Sequence, residues 1–198
     1  MPEVRESGPA RVMVLISGSG SNMEAVIAGS LTEGSPYRVE KVIADRSCPG
    51  LVRASHKGIP AVALDRKQAD FGERLLEETK GAEFIILAGF LSILEPRFIR
   101  AFAGRIINIH PSLLPAYGGM GMHGRKVHEA VLRAGDSESG CSCHLVTEEV
   151  DAGPVLVQRN VPVYPADTAD DLQQRVLKEE HACIVEGLLK LIDMKKGR

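Results

Sequence analysis

A chain of 198 residues with 44% hydrophobic content is long enough for one continuous core and short for two. Its formal net charge of −2 leaves no basic surplus of the kind that draws a protein onto nucleic acid or an anionic membrane, so small-molecule chemistry is expected. The longest apolar run, Phe84 to Leu94, is too short to span a bilayer, and the N-terminal stretch lacks a secretory apolar core, so a cytoplasmic location is expected.

Residues 1–10 read as a polar extension and 11–198 as a single domain. Arg11 to Ile16 predicts a first strand. Ser17 to Asn22 is a Gly/Ser turn, after which Met23, Val26 and Ile27 recur at helical spacing up to Gly29, with Ser21 and Glu24 fitting a capping box. Val39 to Ala44 predicts a second strand, Leu51 to Lys57 a helix closed by Gly58, Ala61 to Leu64 a short third strand, and Phe71 to Lys80 a helix. Glu83 to Ala88 is almost wholly apolar after its first residue, as a parallel strand buried on both faces should be, and belongs in the middle of the sheet. A short helix from Pro96 to Phe102 leads to a strand from Arg105 to Ile109.

Beyond a loop from Pro111 to Met122 the pattern changes. A helix near Lys126 to Ala134 is followed by two strand runs, Cys141 to Val146 and Val155 to Val161, that form an antiparallel addition to the sheet. Thr168 can cap a final helix whose inward stripe is Leu172, Val176, Cys183 and Leu188, running toward Leu191. Strands alternating with helices predict an α/β fold with a mostly parallel central sheet and helices on both faces. Cys48, Cys141, Cys143 and Cys183 lack Cys-x-x-Cys spacing and read as buried free thiols, not as a metal site.

The segment Arg105 to Pro115 carries the most chemistry. Asn108 and His110 stand two residues apart on a strand, hence on one face, at the strand end where open α/β sheets bind ligands. They offer an amide donor beside a titratable imidazole. Upstream, Ser17 to Asn22 joins the first strand to the first helix, and small residues at a helix start suit a phosphate. A dinucleotide version of that loop would want glycine where Met23 stands, with Asp45 as the ribose acid, which keeps a nicotinamide dehydrogenase open. Downstream, Asp151 lies in the turn Val150 to Pro154. It is either a turn former or a carboxylate that approaches His110, raises its pKa and orients it. His144 on the later strand is a structural or supporting residue, and the glycine-rich stretch from Tyr117 to Gly124 is a lid or a surface connector.

Ile-Ser-Gly-Ser-Gly-Ser-Asn, Leu-Ala-Gly-Phe-Leu, Asn-Ile-His-Pro-Ser-Leu-Leu-Pro and Glu-Val-Asp-Ala-Gly-Pro-Val, in this order and spacing, closely resemble the phosphoribosylglycinamide formyltransferases. The resemblance runs from about Arg11 to Leu191 and implies a Rossmann-like formyltransferase fold. The Asn-Ile-His-Pro segment is shared across the formyltransferase superfamily and gives the reaction type, while the Ser-Gly-Ser-Gly-Ser-Asn loop makes the assignment specific.

The resemblance implies transfer of the formyl group of 10-formyltetrahydrofolate, a co-substrate, to the amine of 5′-phosphoribosylglycinamide in de novo purine biosynthesis. Asn108 and protonated His110 would stabilise the oxyanion, Asp151 would tune His110, and no metal would be needed. Gly20, Ser21 and Asn22 would bind the substrate phosphate and Glu180 the ribose. Leu91, Ser92, Ile93 and Leu94, with Asn108 and with Thr147, Glu148, Glu149, Val150 and Asp151, would border the folate. His144 would support the site. Partners would be small molecules, not nucleic acid or membrane, with a homodimer open.

Ser92 stands where many members carry arginine, Leu177 where a glutamine often occurs, and Gln68 near an arginine that meets the folate tail, for which Arg66 and Lys67 are substitutes. Formyltetrahydrofolate hydrolysis and a catalytically inactive folate- or phosphate-binding module are the alternatives.

Overall fold

The computed structural model describes residues 8–197, so most of the polar extension, residues 1–7, lies outside the described residues. One seven-stranded sheet has the order β3-β2-β1-β4-β5-β6-β7. The parallel strands are β1 (Ala10–Ile16), β2 (Tyr37–Ala44), β3 (Ala61–Ala63), β4 (Phe84–Leu87) and β5 (Ile106–His110). The antiparallel addition is β6 (Glu138–Leu145) and β7 (Val155–Pro162). As the apolar run predicts, β4 is the central strand, fourth of seven.

Among the described residues six helices cover the faces: α1 (Ser21–Ser30), α2 (Pro49–His56), α3 (Phe71–Glu78), α4 (Pro96–Ala101), α5 (Arg125–Ala134) and α6 (Ala169–Lys196). The period of two in β1 sorts its side chains between two cores. Val12, Val14 and Ile16 join Met23, Val26 and Ile27 of α1 and the inward stripe of α6, while Met13 and Leu15 join Leu75 of α3 and Phe98 of α4. That double burial makes the strand read as unbroken apolar sequence. No helix among the described residues is long and apolar enough to cross a membrane.

Helix α6 is the longest element. A capping box between Thr168 and Asp171 starts it, and left-handed Gly197 ends it. Leu172, Val176, Cys183, Leu188 and Leu191 are fully buried, as the stripe predicts. Gly187 lets the helix lie directly on β6, since a Cβ there would stand 2.2 Å from Cys143 Sγ.

Chain direction in the sheet determines where the site forms. From β1 the chain steps outward to β2 and β3, then returns across β1 to β4, so the loops after β1 and β4 part at a topological switch point. There they are stitched together: Ser17 N–H donates to the Gly89 carbonyl at 3.1 Å and Leu91 N–H to Ser17 Oγ at 2.8 Å.

Candidate active site

The turn after β1 delivers the chain to α1 through Gly20, which adopts the left-handed conformation at φ 80°. Gly20, not Ser21, is therefore the N-cap, and the expected Ser21/Glu24 capping box does not form. Glu24 is drawn instead to Arg53, 2.7 Å away. With no side-chain cap on the helix, its first N–H groups stay available to an anion. Asn22 turns its side chain away from this turn, and its Nδ2 donates to Glu180 Oε2 at 2.7 Å. Its Oδ1 is buried without a partner among the described residues.

Asn108, His110, His144 and Asp151 converge into one cluster because β5 and β6 pair antiparallel, with Asn108 opposite His144 and His110 opposite Ser142. Ser142 holds the loop after His110 from below. Its Oγ donates to the Ser112 carbonyl at 2.6 Å and accepts from Leu114 N–H at 2.9 Å. Asp151 arrives on the turn after β6 with φ 55°, a left-handed conformation that aspartate tolerates better than most side chains. Its Oδ2 lies 3.4 Å from His110 Nδ1 and accepts from Gly119 N–H at 3.0 Å. Its Oδ1 faces His144 Nε2 at 3.6 Å and Asn108 Nδ2 at 3.5 Å.

Both imidazoles have a nitrogen fixed by a backbone carbonyl. His110 Nε2–H donates to the Tyr117 carbonyl at 2.8 Å, and His144 Nδ1–H donates to the Leu145 carbonyl at 2.9 Å. His144 Nε2 is then the acceptor for Asn108 Nδ2–H at 3.1 Å. Asn108 thus has one firm contact and one long one, the latter to Asp151. His144, read from sequence as a lone strand histidine, orients the amide.

The electrostatics differ from the sequence expectation in one respect. Burial pulls His110 below the usual imidazole range, and Asp151 and the Tyr117 carbonyl oppose this without overcoming it, so the net shift is downward where the sequence expectation is upward. Burial would raise Asp151, but hydrogen bonding to its carboxylate, including that from the Gly119 N–H, and the charge that His110 carries once protonated outweigh it and hold the carboxyl below its ordinary value. Glu180 is pushed up by burial, with the Asn22 hydrogen bond acting against that. His128 of α5, a wall residue that the sequence reading missed, is driven down to about 4 by burial, with the charge of His110 adding to the effect. The signal was present in its position beside Val127 on the buried side of an amphipathic helix.

Two cavities meet over this cluster. The smaller is bordered by Leu91, Ser92, Ile93 and Leu94 on one side and Thr147, Glu148, Glu149 and Val150 on the other, with His144 in its wall. The larger holds Asn22, His110, His128 and Glu180 and is roofed by Gly119 to Gly124. Asn108 and Asp151 belong to both. Leu91 to Leu94, Asn108 and Thr147 to Asp151, expected to border the folate, all line the smaller cavity, whereas Gly20 and Ser21 stand outside the wall of the larger one. Asp45 is not a free ribose acid. It is fully buried and accepts from Arg46 Nε and Nη2 at 2.8 and 2.9 Å and from Ser92 Oγ at 2.6 Å. Ser92 thereby has a structural tie of its own, and Arg66 and Gln68 line a third, shallower depression beside it.

Residues 10–188 match the family model described as formyl transferase. The chain is 41% identical over 179 residues to the phosphoribosylglycinamide formyltransferase of Escherichia coli (strain K12), covering 86% of this chain and 82% of that one. The chain belongs to the phosphoribosylglycinamide formyltransferase family. A second family member, from Haemophilus influenzae, is 35% identical, covering 92% of this chain and 91% of that one. The solved glycinamide ribonucleotide transformylase 1 of Symbiobacterium toebii superposes with a TM-score of 0.87 at 37% identity, covering 96% of this chain and 89% of that one. Not every match is a stand-alone family member. The chain spans only 14% of the trifunctional purine biosynthetic protein adenosine-3 of Drosophila melanogaster, at 39% identity over 92% of this chain. A formyltetrahydrofolate deformylase of Pseudomonas syringae shares the fold at TM-score 0.82 and 25% identity, covering 92% of this chain and 61% of that one.

Proposed function

We propose that this chain transfers the formyl group of 10-formyltetrahydrofolate to the glycinamide amine of 5′-phosphoribosylglycinamide, a step of de novo purine biosynthesis in the cytoplasm. The observation that carries the reading is the junction of the two cavities at Asn108 and Asp151. A transferase must hold two molecules with their reacting atoms in contact, and only such a shared wall serves both. The pterin occupies the smaller cavity. The phosphoribosyl acceptor occupies the larger, with its phosphate toward the backbone N–H groups of Gly20, Ser21 and Asn22 and its sugar hydroxyls toward Glu180.

As the amine nitrogen attacks the formyl carbon, negative charge gathers on the formyl oxygen. Asn108 Nδ2–H meets it by giving up its long 3.5 Å contact to Asp151. Neutral His110 accepts the proton shed by the amine, and the resulting imidazolium lies between two acceptors, the Asp151 carboxylate and the Tyr117 carbonyl. It then returns that proton to the folate nitrogen as the carbon–nitrogen bond breaks, giving tetrahydrofolate and the formylated amide. His110 acts first as base and then as acid.

The test is steady-state release of tetrahydrofolate with and without the acceptor. Release only when phosphoribosylglycinamide is present supports the transfer. Release without acceptor at the same rate assigns the chain to hydrolysis, and no release in either case assigns it to binding alone.

A further inference from the structure

Helix α6 presents a stripe to the acceptor cavity in which Gln173, Leu177 and Glu180 stand at i, i+4 and i+7, the spacing at which helical side chains share a face. Glu180 is accounted for, being 8% exposed and bonded to Asn22. Gln173 is not. It is half-buried in the cavity wall, and its amide has no protein partner among the described residues, whereas nearby Arg175 is tied to both oxygens of Asp167. Packing does not explain it either, since the neighbouring Leu172 and Val176 supply the fully buried contacts on that turn.

The position of the stripe adds to this. Gln173 lies roughly 10 Å along the helix axis from Glu180, given about 1.5 Å of rise per residue. Asp170, three residues before Gln173, forms an ion pair with Arg125, the first residue of α5, so the glycine-rich roof ends beside this turn of α6. The cavity therefore has a polar group at each end of the stripe and an apolar spacer, Leu177, between them. Two polar groups that far apart fit an elongated ligand with oxygens at both ends. An amide that is unpartnered within the fold has two N–H donors to give it.

We propose that Gln173 is a specificity-determining residue for the acceptor, donating Nε2–H to an oxygen of the phosphoribosyl group from the roof side while Glu180 accepts from the sugar hydroxyls. The assignment rests on the reading of the site as a formyl transferase acting on phosphoribosylglycinamide. Leu177 cannot make this contact, so the place of the amide along the stripe sets where the acceptor is read.

The experiment is steady-state kinetics of the whole enzyme with both substrates. Gln173→Leu is expected to raise KM for phosphoribosylglycinamide about tenfold, the loss typical of one hydrogen bond to a charged or strongly polar group, with smaller changes in kcat and in KM for 10-formyltetrahydrofolate. Gln173→Glu removes the donors, adds negative charge and is expected to raise the acceptor KM further. In Gln173→Leu/Leu177→Gln the amide moves one turn along the same stripe, and part of the loss should return. An unchanged acceptor KM in Gln173→Leu overturns the assignment. So does a parallel worsening of both KM values and kcat with a lowered Tm, which a merely structural role would give. Absence of turnover by the unaltered enzyme overturns the functional reading and the assignment together.

Discussion

Asn108, His110 and His144 stand on two strands paired residue by residue, and Asn108 Nδ2, His110 Nε2 and both ring nitrogens of His144 are each held by another side chain or by a backbone carbonyl. The segment roofing the larger cavity is made differently. Gly119, Gly121 and Gly124 have φ of 96°, 82° and 56°, and Met120 between them is 76% exposed. Its link to the floor is one hydrogen bond, from Gly119 N–H to Asp151 Oδ2. A reaction whose charge develops within one bond length needs donors that do not move, which strand pairing supplies. In the proposed transfer a phosphoribosyl substrate has to be admitted and enclosed, and left-handed glycines are the backbone positions best able to change conformation for it. Asp151 is where the two meet, since it belongs to the floor and anchors the roof.

The most severe way to break this contrast is at the floor. His110→Ala and Asp151→Asn should each lower kcat by at least about a hundredfold, the usual contribution of a positioned acid–base group. Near-normal turnover in either variant would remove that residue from the chemistry.

A second test uses acid, and its sign follows from His128. The folded protein holds this imidazole at about 4, below its unfolded value of about 6.5. The unfolded chain therefore binds a proton that the folded one refuses. The stabilisation is fully present above about pH 6.5 and is lost as pH falls toward about 4, at up to about 1.4 kcal/mol per pH unit. Urea midpoints across that range should show the slope, and His128→Gln should flatten it. Asp151 acts in the same direction but in a lower window, beginning below its ordinary value of 3.8.

Smaller effects probe the joints between the two regions. His144→Gln loses the ring that both orients Asn108 and bonds the Leu145 carbonyl, and about a tenfold fall in kcat with a shifted pH profile is expected. If kcat and the profile both stay as they are, His144 is only packing. Gly119→Ala forces a side chain into a left-handed conformation at a cost of about 1 kcal/mol and draws its N–H off Asp151. KM for the acceptor should rise a few-fold while kcat moves less. A larger fall in kcat than in affinity would mean that the roof takes part in the chemistry.

Much of this was legible in the sequence, for reasons that can be named. β4 reads as four apolar residues because it is covered on both faces, and α6 reads as a capped helix because Thr168 and Asp171 bond each other locally. The turn after β1 was legible too, but its cap was not. Ser21 and Glu24 have the spacing of a capping box, and the left-handed Gly20 pre-empts it. The role of His144 was hidden because it depends on the pairing of Asn108 with a residue 36 positions away. The direction of the shift on His110 was hidden for a related reason. Sequence shows the carboxylate that would protonate it but not the burial that opposes it. Asp45 went wrong in the same way, since its partner Ser92 lies 47 residues on.

The contact between Gly187 and Cys143 has a mechanical consequence. Helix α6 is a stiff rod with Glu180 two turns from that glycine, and no side chain fits between rod and sheet at the point of contact. Gly187 serves as a fulcrum, and its distance from β6 sets how far Glu180 reaches toward the bond from Asn22. A methyl group added there, at a position outside both cavities, would tilt the rod and be felt first at the bond between Glu180 and Asn22.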